Sequence, residues 1–346
     1  MYETLRPLLF RLDPETAHHL TLALLKWGGD IAPTREMLRA MFCVDDARLH
    51  VNAFGLQFKN PVGLAAGYDK NGIAARGLAA LGFGHIEIGT VTRLPQMGNE
   101  KPRVWRVPEA HALVNRMGFP NAGVDKLNVP RVDARIGVNI GKGKDTPLEN
   151  AADEYVTLLR AVRAHADYIA INVSSPNTHN LRALQTREWT EPLLKEIADA
   201  RDALSPRVPV LVKIAPDLSF DEIDGIVDAA RDVNFDGIIA TNTTISREGL
   251  PDYAKNFAGG MSGEPLRARA TQIIHHICET TRGEFPIIGV GGIRDANSAL
   301  EKLGAGATLI QIFTGLVYGG PRLVKEINQA LLREPFRERK FVFTPT

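Results

Sequence analysis

The sequence predicts a (β/α)8 barrel carrying an N-terminal helical extension, and three observations lead there. From residue 61 onward, short β-rich runs alternate with helical patterns eight times over about 250 residues, which is the repeat and the size of such a barrel. The segments between the runs, such as AADEYVTLLRAVRAHA, SFDEIDGIVDAARDV and ATQIIHHICETTR, repeat their apolar residues at three- and four-residue intervals, as amphipathic helices do. No G-x-G-x-x-G follows the first run, so a doubly wound open sheet is the weaker alternative.

Taken in order, residues 1–45 read as a unit of their own ahead of a barrel domain spanning 46–346. Asp13-Pro14-Glu15 is a helix start, with Asp as the cap and Pro in the first helical position. Leu5, Leu8, Leu9 and Leu12 form one apolar stripe and Leu20, Leu24 and Trp27 another, so a pair of helices is expected. Such a pair packs on the barrel or lies on a membrane surface, and its near-balanced charge would leave membrane affinity to apolar area. VNAFGLQFKN then suggests a small hairpin closing the barrel floor. The eight strands are PVGLAAG from Pro61, HIEIGTV from His85, RIGVNIG from Arg135, YIAINVS from Tyr168, VLVKIA from Val210, GIIATN from Gly237, IIGVGG from Ile287 and TLIQIF from Thr308.

Composition narrows the class. With 346 residues, 44 % hydrophobic and 23 % charged, the chain is an ordinary globular protein large enough for a barrel. Its 41 basic and 40 acidic side chains leave a net charge of +1, so nothing suggests nucleic-acid binding. Cys43 and Cys278 stand alone, without the C-x-x-C or Cys/His clusters that hold zinc or iron–sulfur centres, and a reducing compartment follows. No apolar run approaches the roughly 20 residues of a spanning helix. The start of the chain carries Glu3, Arg11, Asp13 and Glu15 and lacks a small-residue cleavage site, so no signal peptide is expected.

In this fold, chemistry gathers at the carboxyl ends of the strands, which here supply AGYDKN, GTVT, NIGK, NVSSPN, KIAPD, TNTT, GVGGIR and FTGL. The glycine-rich turns after strands seven and eight, with Gly291, Gly292, Thr314 and Gly315, suit a phosphate held by backbone N–H groups. Lys213 shares a strand face with Leu211 and Ala215, where lysine is seldom buried without a partner. It reaches solvent at the rim, faces the anionic part of a cofactor such as a reduced flavin, or does Schiff-base chemistry. Asn115, Asn139, Asn172, Asn177 and Asn242 offer paired donors and acceptors. With Lys70 they describe a site for a planar, base-like heterocycle bearing one carboxylate. Ser175 lies between Asn172 and Asn177, with no G-x-S-x-G and only His179 nearby, so any proton it moves must pass through water or a neighbour.

In this order, GLAAGYDKNG, EIGTVT, NRMGF, GVNIGK, NVSSPNT, VKIAPD, TNTT, GGMSGEPL and GVGGI resemble the dihydroorotate dehydrogenase family over nearly the whole chain. LDPETAHHL, and serine in place of cysteine at 175, resemble its quinone-dependent, membrane-associated class. The resemblance implies an FMN-containing barrel that oxidises (S)-dihydroorotate to orotate in pyrimidine synthesis, peripheral on the cytoplasmic side of the cell membrane. It carries FMN contacts onto Ala66, Gly67, Tyr68, Asp69, Lys70, Thr90 and Asn139, and onto Asn172, Lys213, Thr241, Gly263, Gly292, Phe313 and Thr314. Substrate contacts fall on Lys70, Asn115, Arg116, Met117, Gly118, Phe119, Asn172, Asn177, Asn242 and Thr243. Ser175 matches the catalytic base, with Thr178 and Phe119 placed to help its proton leave. His18 and Arg103 match positions beside a quinone channel formed by the N-terminal helices.

Three departures stand out: NTHNLR for the usual NTPGLR, Phe313 for a common tyrosine, and VTRLPQMGN for VTPRPQPGN. Other readings of the same glycine turns are a flavin-free isomerase or lyase, a non-catalytic barrel docked on membranes, and the soluble fumarate-linked relative, which would carry cysteine at 175. The sequence leaves oligomeric state open, a monomer included.

Overall fold

The computed structural model describes residues 2–333. Three helices come first: α1 (Tyr2–Leu9), α2 (Pro14–Asp30) and α3 (Ala32–Phe42). The Asp13 carboxylate caps α2 by accepting from the N–H groups of Glu15 and Thr16, each at 3.0 Å. The third helix is a correction to the expected pair. The chain is extended at Ile31, and Pro33 falls in the first turn of the new helix, where its missing N–H costs nothing.

A hairpin of β1 (Val51–Ala53) and β2 (Leu56–Phe58) follows, turning on Phe54 and Gly55, both with positive φ. A two-residue turn of that hand matches the twist of the strands it joins. The barrel strands are β3 (Val62–Leu64), β4 (His85–Val91), β7 (Arg135–Ile140), β8 (Tyr168–Asn172), β9 (Val210–Ile214), β10 (Gly237–Ala240), β12 (Ile287–Val290) and β13 (Leu309–Ile312). They form a closed barrel of parallel strands in that order, β13 pairing back onto β3. Each lies within one of the eight expected runs. Helices α4 (Ala75–Ala79), α5 (Ala151–Val162), α6 (Arg187–Asp202), α7 (Phe220–Asp232), α8 (Arg267–Thr280), α9 (Ala296–Gly304), α10 (Thr314–Gly319) and α11 (Arg322–Arg333) complete the chain.

Alternation along the strands divides the core in two. Outward residues such as Ile86, Ile88, Val138 and Ile169 pack under the helices. Inward residues Tyr168, Ala170, Leu211, Ile239, Ile288 and Leu309 fill the lower barrel, and Phe58 of the hairpin plugs it from below. His85 lies in this floor, 5.5 Å from the Phe58 ring, with neither ring nitrogen hydrogen-bonded. A Cβ at Gly63 would sit 2.1 Å from His85 Nε2, so only glycine leaves the imidazole its room.

The remaining strands, β5 (Val104–Val107), β6 (Ala112–Asn115) and β11 (Gly260–Gly263), form an antiparallel sheet in the order β11-β6-β5. It has a small core of its own around Val107, Val114, Leu250 and Met261. The N-terminal helices lean on the barrel. Gly29 and Gly77 bring α2 into backbone contact with α4, since a Cβ on Gly29 would meet Gly77 N at 2.2 Å. Leu5, Leu8, Leu20, Leu24 and Trp27 remain exposed, and no helix among the described residues is long and apolar enough to cross a membrane.

Candidate active site

One cavity occupies the carboxyl ends of the barrel strands. Ala66, Gly67, Lys70, Thr90, Asn172, Ser175, Lys213, Thr241 and Phe313 line its barrel side. The β5-β6-β11 sheet supplies Val104, Leu113, Asn115 and Ser262, and the start of α2 supplies Pro14, Glu15 and His18.

Below the cavity lies a polar layer. Glu87, fully buried on β4, accepts hydrogen bonds from Asn139 Nδ2 at 2.9 Å, Lys213 Nζ at 3.2 Å, Gln311 Nε2 at 2.7 Å and Tyr168 Oη at 3.4 Å. Lys213 is therefore neither at the solvent rim nor unpartnered. Asn139 Oδ1 accepts from Thr90 Oγ1 at 2.5 Å and from Asn172 Nδ2 at 3.1 Å, which ties β4, β7 and β8 together directly under the site.

The amides converge as the strand-end reading expects. Asn177 Nδ2 donates to Asn115 Oδ1 at 3.2 Å, and Asn242 Nδ2 donates to Asn172 Oδ1 at 3.3 Å and to Ser174 Oγ at 2.9 Å. The two serines after β8 have separate work. Ser174 bonds to Asn172 and Asn242, while Ser175 faces the cavity and its Oγ accepts from the Asn177 N–H at 3.3 Å. Thr178 is buried with its hydroxyl unpartnered, and His179 is exposed. Asn180, where NTHNLR departs from NTPGLR, has φ +54°, a left-handed backbone that asparagine tolerates almost as glycine does.

Lys70 projects into the cavity wall, and among the described residues no acceptor hydrogen-bonds it. Burial pulls its ammonium down to about 8, opposed by the charges of Glu15 and Asp69. The turns after β12 and β13 meet face to face, since a Cβ on Gly315 would strike the Ile293 carbonyl oxygen at 2.1 Å, while one on Gly292 would strike Arg267 Cβ at the start of α8 at 2.3 Å.

Six of the expected residues do not line the cavity, the buried Thr178 among them. The Tyr68 ring turns toward His18 and Phe313, with centroids 5.0 and 5.8 Å away. The Asp69 carboxylate accepts from the N–H groups of Ile73 and Ala74 ahead of α4. Asn139 is one layer below. Arg116 donates to the Pro102 carbonyl and lies over the Trp105 ring. His18 lines the cavity, and burial pulls its imidazole down to about 3. Arg103 is set back: it grips Glu15 at 2.7 and 3.2 Å and the carbonyls of Met97 and Asn99. Glu87, Gln311 and Ser262 escaped the sequence reading. Alternation from His85 places Glu87 inside the barrel, a signal that pairs naturally with the interior Lys213.

A family model described as dihydroorotate dehydrogenase matches residues 48–334. A protein of Christiangramia forsetii named dihydroorotate dehydrogenase (quinone) is 47 % identical over 339 residues, covering 96 % of this chain and 99 % of its own. One of the same name from Psychrobacter sp. is 49 % identical, covering 95 % and 97 %. The crystal structure of Eimeria tenella DHODH in complex with ferulenol superposes with a TM-score of 0.84 at 36 % identity, covering 93 % of this chain and 91 % of that one.

Proposed function

The chain belongs to the dihydroorotate dehydrogenase family, and from that premise we propose how its cavity oxidises dihydroorotate to orotate with a quinone as final acceptor. The observation that carries the reading is the convergence of Asn115, Asn172, Asn177 and Asn242 with Lys70 and Ser175 on one cavity. Asn115, Asn177, Asn242 and Thr243 hold the pyrimidine ring, Met117, Gly118 and Phe119 wall it in, and Lys70 takes the carboxylate. Ser175 accepts the proton leaving C5. The buried, unpartnered Thr178 hydroxyl, three residues beyond Ser175 on the same loop, supports a way out for that proton.

The residues present fit FMN. Gly263, Gly292, Thr314 and Gly315 line one stretch of the cavity, with backbone packed so closely behind the three glycines that a Cβ would strike protein, which suits a phosphate held by backbone N–H groups, and Gly67 borders the same cavity at φ +100°. Ala66 to Lys70, Thr90, Asn172, Thr241 and Phe313 would border the ring, Tyr68 and Asp69 through backbone alone, with Asn139 supporting from below. Lys213 would supply positive charge near a reduced ring. FMN held there would supply the acceptor for the hydride leaving substrate C6 and the link for electrons to the quinone.

The opposite end of the cavity is bordered by Pro14, His18, Val104 and Val317, which supports quinone approach between the N-terminal helices and the β5-β6-β11 sheet. The exposed leucines and Trp27 of α1 and α2 support docking of residues 1–45 on the cytoplasmic side of the cell membrane, with 46–346 as the catalytic unit. Residues 334–346 of that unit lie outside the described residues. The test is single-turnover mixing of Ser175→Ala with dihydroorotate. Flavin and orotate binding are expected to persist while flavin reduction slows by about 10²-fold or more. A near-normal rate would refute the base.

A further inference from the structure

The loop after β8 carries Ser175, and one side chain outside the cavity lining holds that loop in place. Arg182 Nε donates to the Ser174 carbonyl at 2.9 Å, Nη2 to the Thr243 carbonyl at 2.8 Å, and Nη1 to Asp217 Oδ2 at 2.7 Å. Asp217 is itself fixed, its Oδ1 accepting from the Thr244 hydroxyl and from the Ile245 N–H. The loops following β8, β9 and β10 thus meet at a single guanidinium. Two of its acceptors flank reacting groups: Ser174 precedes Ser175, and Thr243 belongs to the ring-holding set. Asn242 joins the same two residues from inside, donating to Ser174 Oγ at 2.9 Å and accepting from the Thr243 N–H at 2.7 Å. Gly260 of the covering sheet packs straight onto this junction, since a Cβ there would lie 2.0 Å from Thr243 Oγ1 and 3.1 Å from Pro176 Cγ.

We propose that Arg182 is a positioning residue for the oxidation, setting the distance between the Ser175 hydroxyl and the ring held by Asn242 and Thr243. This rests on Ser175 being the proton acceptor. The planar fork donates in three fixed directions, to two carbonyls on different loops and to one carboxylate, which an ammonium cannot reproduce at once. Losing it frees the base-bearing loop while leaving every cavity-lining side chain present.

The experiment is stopped-flow reduction of the flavin-loaded enzyme in Arg182→Met, Arg182→Lys and Asp217→Asn, with orotate binding and flavin reoxidation by quinone measured alongside. A misplacement of about 1 Å costs on the order of 10²-fold in rate, so Arg182→Met is expected to slow reduction at saturating dihydroorotate by about tenfold or more. The loss should fall on kcat rather than KM, reoxidation should be unchanged, Arg182→Lys should recover part of the rate, and Asp217→Asn should lie between. If Arg182→Met fails to retain flavin, Asp217→Asn decides. Reduction within about twofold of the parent in every variant that holds flavin, or equal losses in both half-reactions, would overturn the proposal. Ser175→Ala in the same mixing separates the premise: reduction at the parent rate there would remove the base itself, whatever Arg182 does.

Discussion

Lys213 Nζ lies 3.2 Å from Glu87 Oε1, and both side chains are closed off from solvent inside the barrel. Buried pairs of this kind owe their persistence to complete hydrogen bonding rather than to Coulomb attraction alone. Glu87 meets that condition, because Asn139, Gln311 and Tyr168 also donate to it.

Removing one partner leaves the other charge stranded. Glu87→Gln is expected to destabilise the protein by about 3 kcal/mol or more in denaturant unfolding, the scale for a broken buried pair. Glu87→Gln/Lys213→Met should lose less than the sum of the single changes. Strict additivity would show that the two charges are not coupled.

Substrate binding should depend on pH through Lys70. Burial pulls its ammonium down to about 8, so the charge that pairs with a carboxylate is expected below that pH and lost above it. Orotate affinity, followed by calorimetry, should be flat at lower pH and weaken by up to about tenfold per pH unit above it. Lys70→Ala should weaken binding by at least about tenfold at neutral pH and remove the alkaline limb. An unchanged limb in the variant would assign it to another group.

His85 should set part of the acid sensitivity. Burial holds its imidazole down to about 4, with Glu87 opposing that shift. The unfolded chain protonates near the usual histidine value of about 6.5, so between the two values the unfolded state binds more protons. Stability is therefore full above about pH 6.5 and falls as pH drops toward 4, by roughly 3 kcal/mol for this group alone. His85→Phe should flatten that limb in urea midpoints measured from pH 7 to 4. The same slope in the variant would place the acid sensitivity elsewhere.

Deleting residues 1–45 should leave a yellow barrel that dihydroorotate still reduces. Every proposed flavin and ring contact begins at Ala66, and Arg103, freed of Glu15, becomes solvated rather than stranded. The truncated enzyme should lose rapid turnover with a long-tailed quinone and lose sedimentation with lipid vesicles, because the exposed leucines and Trp27 are gone. Full activity with the long-tailed acceptor would show that the helices only pack.

By itself the sequence determined the barrel, because each parallel strand is an apolar β-branched run buried on both faces and each helix shows its own period. It determined the cap at Asp13 and the floor hairpin for the same reason: their signals are local. It also delivered the polar residues of the strand ends, since a barrel gathers those ends at one face whatever its loops do. Only the tertiary structure decided what those residues touch. Tyr68, Asp69 and Arg116 turn away because neighbours outside their motifs claim them: His18 and Phe313, the N–H groups ahead of α4, and Pro102 with Trp105. The β5-β6-β11 sheet stayed invisible because its strands are only four residues long and one of its two pairings joins distant parts of the chain, as Asn115 does with Gly260. The Glu87 pair and the Arg182 fork are of the same kind. Charge and hydrogen bonding act through space, and the barrel brings Glu87 to Lys213, and Arg182 to Asp217 and Thr243, only once its strands have closed.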